Sequence, residues 1–257
     1  VCIKQVPDTT EVKLDPKTGR LIRDGVPSII NPDDKNALEE ALRIKDENPD
    51  TTVTVVSMGP PQADVAMREA LAMGADEAIL ISGREFGGSD TWATSYIIAT
   101  AIKKIPDYDI IFCGRQAIDG DTAQVGPQIA EQLNIPQITY VQKLDIEGDK
   151  VIVQRQLEDG YTVVEAKMPV LLTAIKELNT PRYMTPKGIF EAYNKTVQVW
   201  GFNDVPVDAE KIGLKGSPTN VNRTFSPEAK GKGIMLEGAD KETVKTLIAK
   251  LDEKHLL

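Results

Sequence analysis

The feature that most limits the fold is an alternation. Short apolar runs at Val1–Val6, Thr52–Ser57, Glu77–Ile81 and Asp109–Cys113 are separated by amphipathic stretches of helical length. A short apolar run bounded by turn residues reads as a buried strand. Strands alternating with helices indicate βαβ units and a mainly parallel α/β sheet. The predicted helices run from Pro32 to about Asp46, from the Met58-Gly59-Pro60-Pro61 turn to Met73, from Ser89 or Asp90 through Lys104, and from Asp121 to about Leu133. Asn31 is placed as an N-cap with Pro32 at the first helical position, and Asp33 and Asp34 suit the positive end of the helix dipole. Ala37, Leu38, Ala41, Leu42 and Ile44 form the buried side of that helix. Gly74 suits the end of the second helix. Val12–Ile22 reads as a small hairpin turning at Pro16–Gly19.

After residue 135 the pattern changes. Gln137–Leu144, Val151–Leu157 and Tyr161–Lys167 read as an antiparallel meander, and Pro169–Ile175 as one more buried strand. From residue 184 to about 235 the chain is rich in Pro, Gly, Asn and Lys with little apolar periodicity, the mark of an extended arm. Ile189, Phe190, Trp200, Phe202, Ile212, Leu214 and Phe225 are spaced through it as anchors for a partner subunit. A last helix is predicted at about Lys241–Leu251. The expected organisation is an α/β domain over residues 1–183 and a partner-wrapping arm with a C-terminal helix over 184–257.

In parallel sheets ligands sit outside the carboxyl ends of the strands. Asp8, Met58, the Gly83–Asp90 loop and Gly114–Val125 are expected on that edge. The stretch Asp109–Glu131 is a strand, a glycine-bearing loop and a helix start. Such a layout turns backbone N–H groups and a positive dipole end outward, where an anion such as a phosphate can bind. Asp121 and Gln124 have the spacing of a capping box. The same layout also serves as a plain turn, and neither GxGxxG nor GxxxxGK[ST] is present.

Composition narrows the function. The 257 residues are 41% hydrophobic, enough for a full core, and carry a net charge of −9, which disfavours nucleic acid. No apolar run approaches the roughly 18–20 residues of a membrane span, and no secretory signal is visible. The chain begins inside a strand, so a few residues are expected upstream of Val1. The two cysteines, Cys2 and Cys113, fall in predicted core strands without a CxxC, as expected of a cytoplasmic chain. His255 is the one histidine, so a Ser–His–Asp triad or a histidine metal site is not expected. Redox chemistry here requires a cofactor.

Five segments resemble one family. VCIKQVPD, INPDDKNALEEALRIK, VVSMGPPQADVAMREALAMGADEAILI, CGRQAIDGDTAQVGPQIAE and VQRQLEDGYTVVEAKMPVLLTAIKELNTPRY together look like the beta subunit of an electron transfer flavoprotein. The stretches Gly87-Gly88-Ser89-Asp90-Thr91 and Asp119 to Pro127 are similar to its electron-bifurcating branch. The resemblance implies an adenine nucleotide alpha-hydrolase-like fold and a heterodimer with an alpha subunit. It implies bound FAD, with AMP as the ordinary-branch alternative. It further implies that NADH is the electron donor, and that electrons divide between ferredoxin or flavodoxin and, through the alpha-subunit FAD, an acyl-CoA dehydrogenase. No side chain need act as acid or base. By matching positions the cofactor contacts are Cys2, Asn31, Pro32, Asp33, Asp34, Met58, Gly114, Arg115, Gln116, Ala117, Ile118, Asp119, Gly120, Asp121, Thr122, Ala123, Gln124 and Val125. Asp90, Thr91 and Thr94 are further candidates for the flavin or a nicotinamide, with a plain helix N-terminal turn as the alternative. Asn31 and Asp34 suit ribose hydroxyls or the adenine edge. Asp119 and Asp121 would repel phosphate, so Asp121 is expected to be occupied in capping. Where the family carries a Leu-Pro pair after Pro181-Arg182-Tyr183, with the Leu anchoring dehydrogenases, this chain has Pro186 and Lys187, with Ile189 and Phe190 nearby. An ordinary electron carrier, an ATP-binding or ATP-hydrolysing protein of the same fold, and a purely structural subunit are the rival readings.

Overall fold

The computed structural model describes residues 1–8, 27–222, 231 and 233–257. The predicted hairpin Val12–Ile22 and the predicted anchor Phe225 lie outside the described residues. The chain forms two compact units, Val1–Val221 and Asn222–Leu257.

The first apolar run is not one strand. Gln5–Pro7 (β1) pairs antiparallel with Ser28–Ile30 (β2). Val1–Ile3 instead lies between two parallel strands, Thr54–Met58 (β3) and Ile110–Gly114 (β5, numbered in chain order). Val56 N–H donates to Val1 O at 2.8 Å, Ile3 N–H to Val56 O at 2.9 Å and Cys2 N–H to Phe112 O at 2.8 Å. The ladder stops there because the next donor, Lys4 N–H, goes to the Asp34 carboxylate at 2.8 Å.

The helices follow the expected order. They are Pro32–Glu47 (α1), Asp64–Met73 (α2), Thr91–Ile102 (α3) and Val125–Leu133 (α4), with Glu77–Ile81 (β4) between α2 and α3. Gly74, at φ 132°, closes α2. The helix predicted from Asp121 starts four residues late, at Val125. Asp121 and Ala123 have φ of 55° and 52°, a left-handed conformation that no right-handed helix contains.

Gln137–Glu147 (β6), Lys150–Gln156 (β7) and Tyr161–Lys167 (β8) form the antiparallel meander. Val170–Ala174 (β9) inserts between β5 and β6, parallel to both. The five strands are ordered β5-β9-β6-β7-β8. The arm has regular structure of its own. Pro186–Asn194 (α5) is followed by Val197–Trp200 (β10), which pairs parallel with β4 on the side away from β3. Arg68 of α2 anchors α5 by donating to Ala192 O at 2.8 Å and Lys195 O at 2.7 Å. One turn, Gly213–Gly216 (α6), precedes Ser217. In the second unit, Lys241–Glu253 (α7) is capped by Asp240, whose carboxylate accepts from Glu242 and Thr243 N–H.

Alternation along each strand splits the core in two. Val55, Leu80, Phe112 and Leu172 pack with α1 and α2 residues such as Leu38 and Met67. Val56, Ile79, Ile111, Cys113 and Leu171 pack with Ile97 of α3 and Ile129 of α4. This is an α/β/α arrangement with ends of parallel strands converging on one edge. A cavity of about 840 Å³ lies at the other edge, where β3 and β5 begin, lined by Val1, Val53, Ile105, Tyr108 and Ile110 among others. It is remote from the loops expected to bind a ligand. No helix among the described residues is long and apolar enough to cross a membrane.

Candidate functional site

At the carboxyl edge β3 ends at Met58, β4 at Ile81 and β5 at Gly114, while α1, α3 and α4 begin at Pro32, Thr91 and Val125. The segment Asn31–Asp34 and the loop 114–124 are 80 or more residues apart in sequence yet hydrogen-bonded to each other. Asn31 is fully buried. It does not cap its own helix: its Nδ2 donates to Gln116 O at 2.8 Å and its Oδ1 accepts from Ile118 N–H at 3.0 Å. An amide carries both donor and acceptor, so one side chain holds the loop at two points.

Asp34 is tied just as fully. Its Oδ2 accepts from Lys4 N–H and its Oδ1 from Gly114 N–H, at 2.8 and 2.9 Å. Burial outweighs these donors and pushes its carboxyl up to about 7. Asn31 and Asp34 therefore build the wall of the site, and their side chains are engaged within the chain. Asp33 stands beside Arg115, whose Nε lies 3.3 Å from its Oδ2. That contact is an ion pair without an aligned hydrogen bond, since the Arg115 Nε has no hydrogen-bond partner. Burial raises the Asp33 carboxyl, and Arg115 opposes the shift.

The loop itself is a tight turn. Gly120 and Asp121 N–H both donate to Ala117 O. Asp119 pairs with Lys4 at 2.6 Å, and Asp121 accepts from the Gln116 side-chain amide. Asp121 is thus not the helix cap that its spacing with Gln124 predicts. The residue preceding α4 is Gln124, which makes no capping bond and instead accepts from Thr91 Oγ1 at 3.0 Å. The starts of α3 and α4 are thereby joined. Among the described residues, the N–H groups of Thr122, Ala123 and Gln124 find no acceptor within the chain. Left-handed Ala123 followed by right-handed Gln124 is the backbone pattern of an anion-binding concavity. A Cβ on Gly120 would meet nothing within 4 Å, so the space above it is open.

Of the remaining predicted residues, Met58, Asp90, Thr91 and Thr94 are spread along the same edge, whereas Cys2 lies inside the sheet and also lines the cavity at the other edge. Met58 ends β3, half-buried against the α3/α4 side of the core. Cys2 lies between Val56 and β5. Asp90 caps α3 by accepting from Ala93 N–H at 3.0 Å, and its other oxygen accepts from Thr219 N–H and Oγ1 at 2.9 and 2.8 Å. Burial is the largest single influence on this carboxyl and pushes it up, but the hydrogen bonds from Ala93 and Thr219 together outweigh it and hold the group below its usual range. Thr94 is in the first turn of α3, its N–H bonded to Asp90 O.

Four participants escape the sequence reading. Lys4, the one charge in the first apolar run, neutralises Asp119. Tyr140 sits at an irregularity in β6 with φ of 60°, its ring 6.0 Å from the Arg115 guanidinium. Ser217 and Thr219 of the arm hold Asp90.

Comparison with known proteins now bears on this edge. Residues 18–205 match the family described as Electron transfer flavoprotein domain. The electron transfer flavoprotein subunit beta of Thermoanaerobacterium thermosaccharolyticum is 62% identical over 258 residues, spanning all of this chain and 98% of the relative. The chain belongs to the electron transfer flavoprotein beta-subunit family. The caffeyl-CoA reductase-Etf complex subunit CarD of Acetobacterium woodii is 58% identical, again over all of this chain and 98% of the relative. Protein FixA of Azotobacter vinelandii is 44% identical over 99% of this chain and 94% of its own length. Membership in the electron transfer flavoprotein family agrees with the mixed sheet, whose parallel strands bring Asn31–Asp34 and the 114–124 loop together.

Proposed function

We propose that this chain is the FAD-binding beta subunit of an electron-bifurcating electron transfer flavoprotein, with NADH as donor. The observation that carries the reading is the 115–124 loop. It offers free N–H groups at Thr122–Gln124, the Arg115 cation and open space over Gly120, while Lys4 cancels the charge of Asp119. These residues fit a diphosphate. The link between Thr91 and Gln124 extends the same surface to the start of α3, which suits a ligand longer than AMP. Bound FAD would supply what no side chain here offers, uptake of two electrons from NADH and their release one at a time.

The chain's own part is positional. Thr122–Gln124 N–H groups and Arg115 hold the phosphates; Cys2, Pro32, Met58, Gln116, Ala117 and Ile118 border the adenosine; Asp90, Thr91 and Thr94 border the outer portion. An alpha subunit carrying its own FAD, a ferredoxin or flavodoxin and an acyl-CoA dehydrogenase complete the cytoplasmic system. The printed names of relatives support the last of these, since they include a caffeyl-CoA reductase-Etf complex and an acryloyl-CoA reductase. Exposed Tyr183, Phe190 and Tyr193 beside and on α5 offer the dehydrogenase an apolar docking face, and α7 presents Val244, Leu247 and Ile248 to the alpha subunit.

Extraction of nucleotides from the copurified heterodimer tests the proposal. Two FAD per heterodimer sustain it. One FAD with one AMP replaces it with the ordinary-carrier reading, which the engagement of Asp90 by Thr219 favours because it withdraws one outer contact.

A further inference from the structure

The two cysteines, far apart in sequence, are in register. In a parallel ladder the residue whose N–H reaches the carbonyl of one residue stands opposite the next. Cys2 N–H donates to Phe112 O at 2.8 Å, so Cys2 stands opposite Cys113. Both side chains belong to the α3/α4 face of the sheet, where Cys113 packs with Val56 and Cys2 lies against the same cluster. Adjacent strands run about 4.8 Å apart, inside the Cα separation of about 4.4–6.8 Å that a disulfide takes.

We propose that Cys2 and Cys113 are an oxidisable thiol pair, Cys2 as the reacting sulfur and Cys113 as the resolving one, held side by side inside the sheet. The two thiols differ in setting: Cys2 is partly exposed and Cys113 is buried. The contact with Cys113 draws the Cys2 thiol below its ordinary range, whereas the contact with Cys2 and then burial push Cys113 up. A low thiol beside a protonated neighbour is the arrangement that reacts with peroxide. The Cys2 thiolate attacks one peroxide oxygen, the O–O bond breaks, and a sulfenic acid and hydroxide form. The Cys113 sulfur then attacks the Cys2 sulfur. An S–S bond forms, the S–O bond breaks, and water leaves with the Cys113 proton. Overall two thiols lose two electrons and two protons while one peroxide becomes two waters. The bond would lock Val1–Ile3 to β5, next to the point where Asp34 joins Lys4 to Gly114.

The test treats the purified heterodimer with hydrogen peroxide, alkylates it after denaturation without reductant, and maps its peptides by mass. The expected product is one peptide pair joining Cys2 and Cys113, lighter by two hydrogens, with both thiols lost to alkylation and restored by dithiothreitol. In Cys113→Ser, Cys2 should instead gain two or more oxygens, because nothing resolves its sulfenic acid. Alkylation of both thiols in full after peroxide would overturn the proposal, as would over-oxidised Cys2 beside a free Cys113 in the unmodified chain. If Cys113→Ser does not fold, diamide in place of peroxide on the unmodified heterodimer decides between the linked peptide and two free thiols.

Discussion

Gly114 and Asp34 share space so closely that a Cβ on residue 114 would lie 2.2 Å from Asp34 Oδ1 and 2.6 Å from Asp34 N. The second of these atoms is backbone and cannot swing aside. The glycine is needed for proximity, because the end of β5 touches the first turn of α1.

Gly114→Ala should therefore separate β5 from α1. Overpacking costs about 1–3 kcal/mol, which for a chain of this size lowers Tm by roughly 2–12 °C. Thermal unfolding of the variant checks this, and a Tm equal to the parent's would show that the strand end moves aside freely.

Asp34 predicts a pH signature. Its folded carboxyl titrates at about 7 and its unfolded one near the ordinary 3.8. Between those values the folded state holds a proton that the unfolded state has lost. The contribution is full below about 4 and disappears as pH rises through about 7. Urea unfolding across pH 4–8 should show stability of the parent falling relative to Asp34→Asn by a few kcal/mol in order of magnitude. Parallel curves for the two proteins would remove Asp34 as the titrating group.

Arg182 grips Glu39 through Nε at 2.9 Å and Nη2 at 3.1 Å, and also reaches Asp46. Glu39 is buried. Arg182→Ala leaves that carboxylate without its cation. The loss is about 2–4 kcal/mol, below the figure for a fully buried pair because the guanidinium is partly solvated. Adding Glu39→Gln should recover part of the loss. A double variant no better than the single one would mean that packing of the arginine stem, and not charge, is what was removed.

Asp90→Ala removes the α3 cap and the anchor of Thr219 together. Cap loss costs about 1 kcal/mol. The segment around α6 should then open to trypsin at exposed Lys215, with cleavage at least several-fold faster than in the parent. Unchanged cleavage would assign the clasp to Ser217, which also bonds Gly213 O and Asp90 N–H.

Much of this was readable from residue order. The strands at Glu77–Ile81 and Tyr161–Lys167 were legible because apolar runs and alternation act locally. The Asn31 and Asp121 assignments were not, because both side chains had a local partner in prospect and took a distant or different one. Asn31 sends its amide to Gln116 and Ile118, and Asp121 turns left-handed and accepts from Gln116. Capping rules describe what a residue can do for its own helix; tertiary contacts decided what it does here. The role of β10 was equally hidden. Val197–Trp200 is too short to announce a strand, and the neighbour that makes it one lies more than a hundred residues earlier.

That pairing also orders events during synthesis. The β4 edge carries Ala78-Ile79-Leu80-Ile81, an apolar stretch that invites pairing with any strand nearby. Its cover, β10, leaves the ribosome more than a hundred residues after it. Until then the nascent chain holds an open parallel edge beside a half-built sheet. The arm is therefore the closing piece of the domain's own fold, and a chain cut short before residue 197 would be an aggregating fragment.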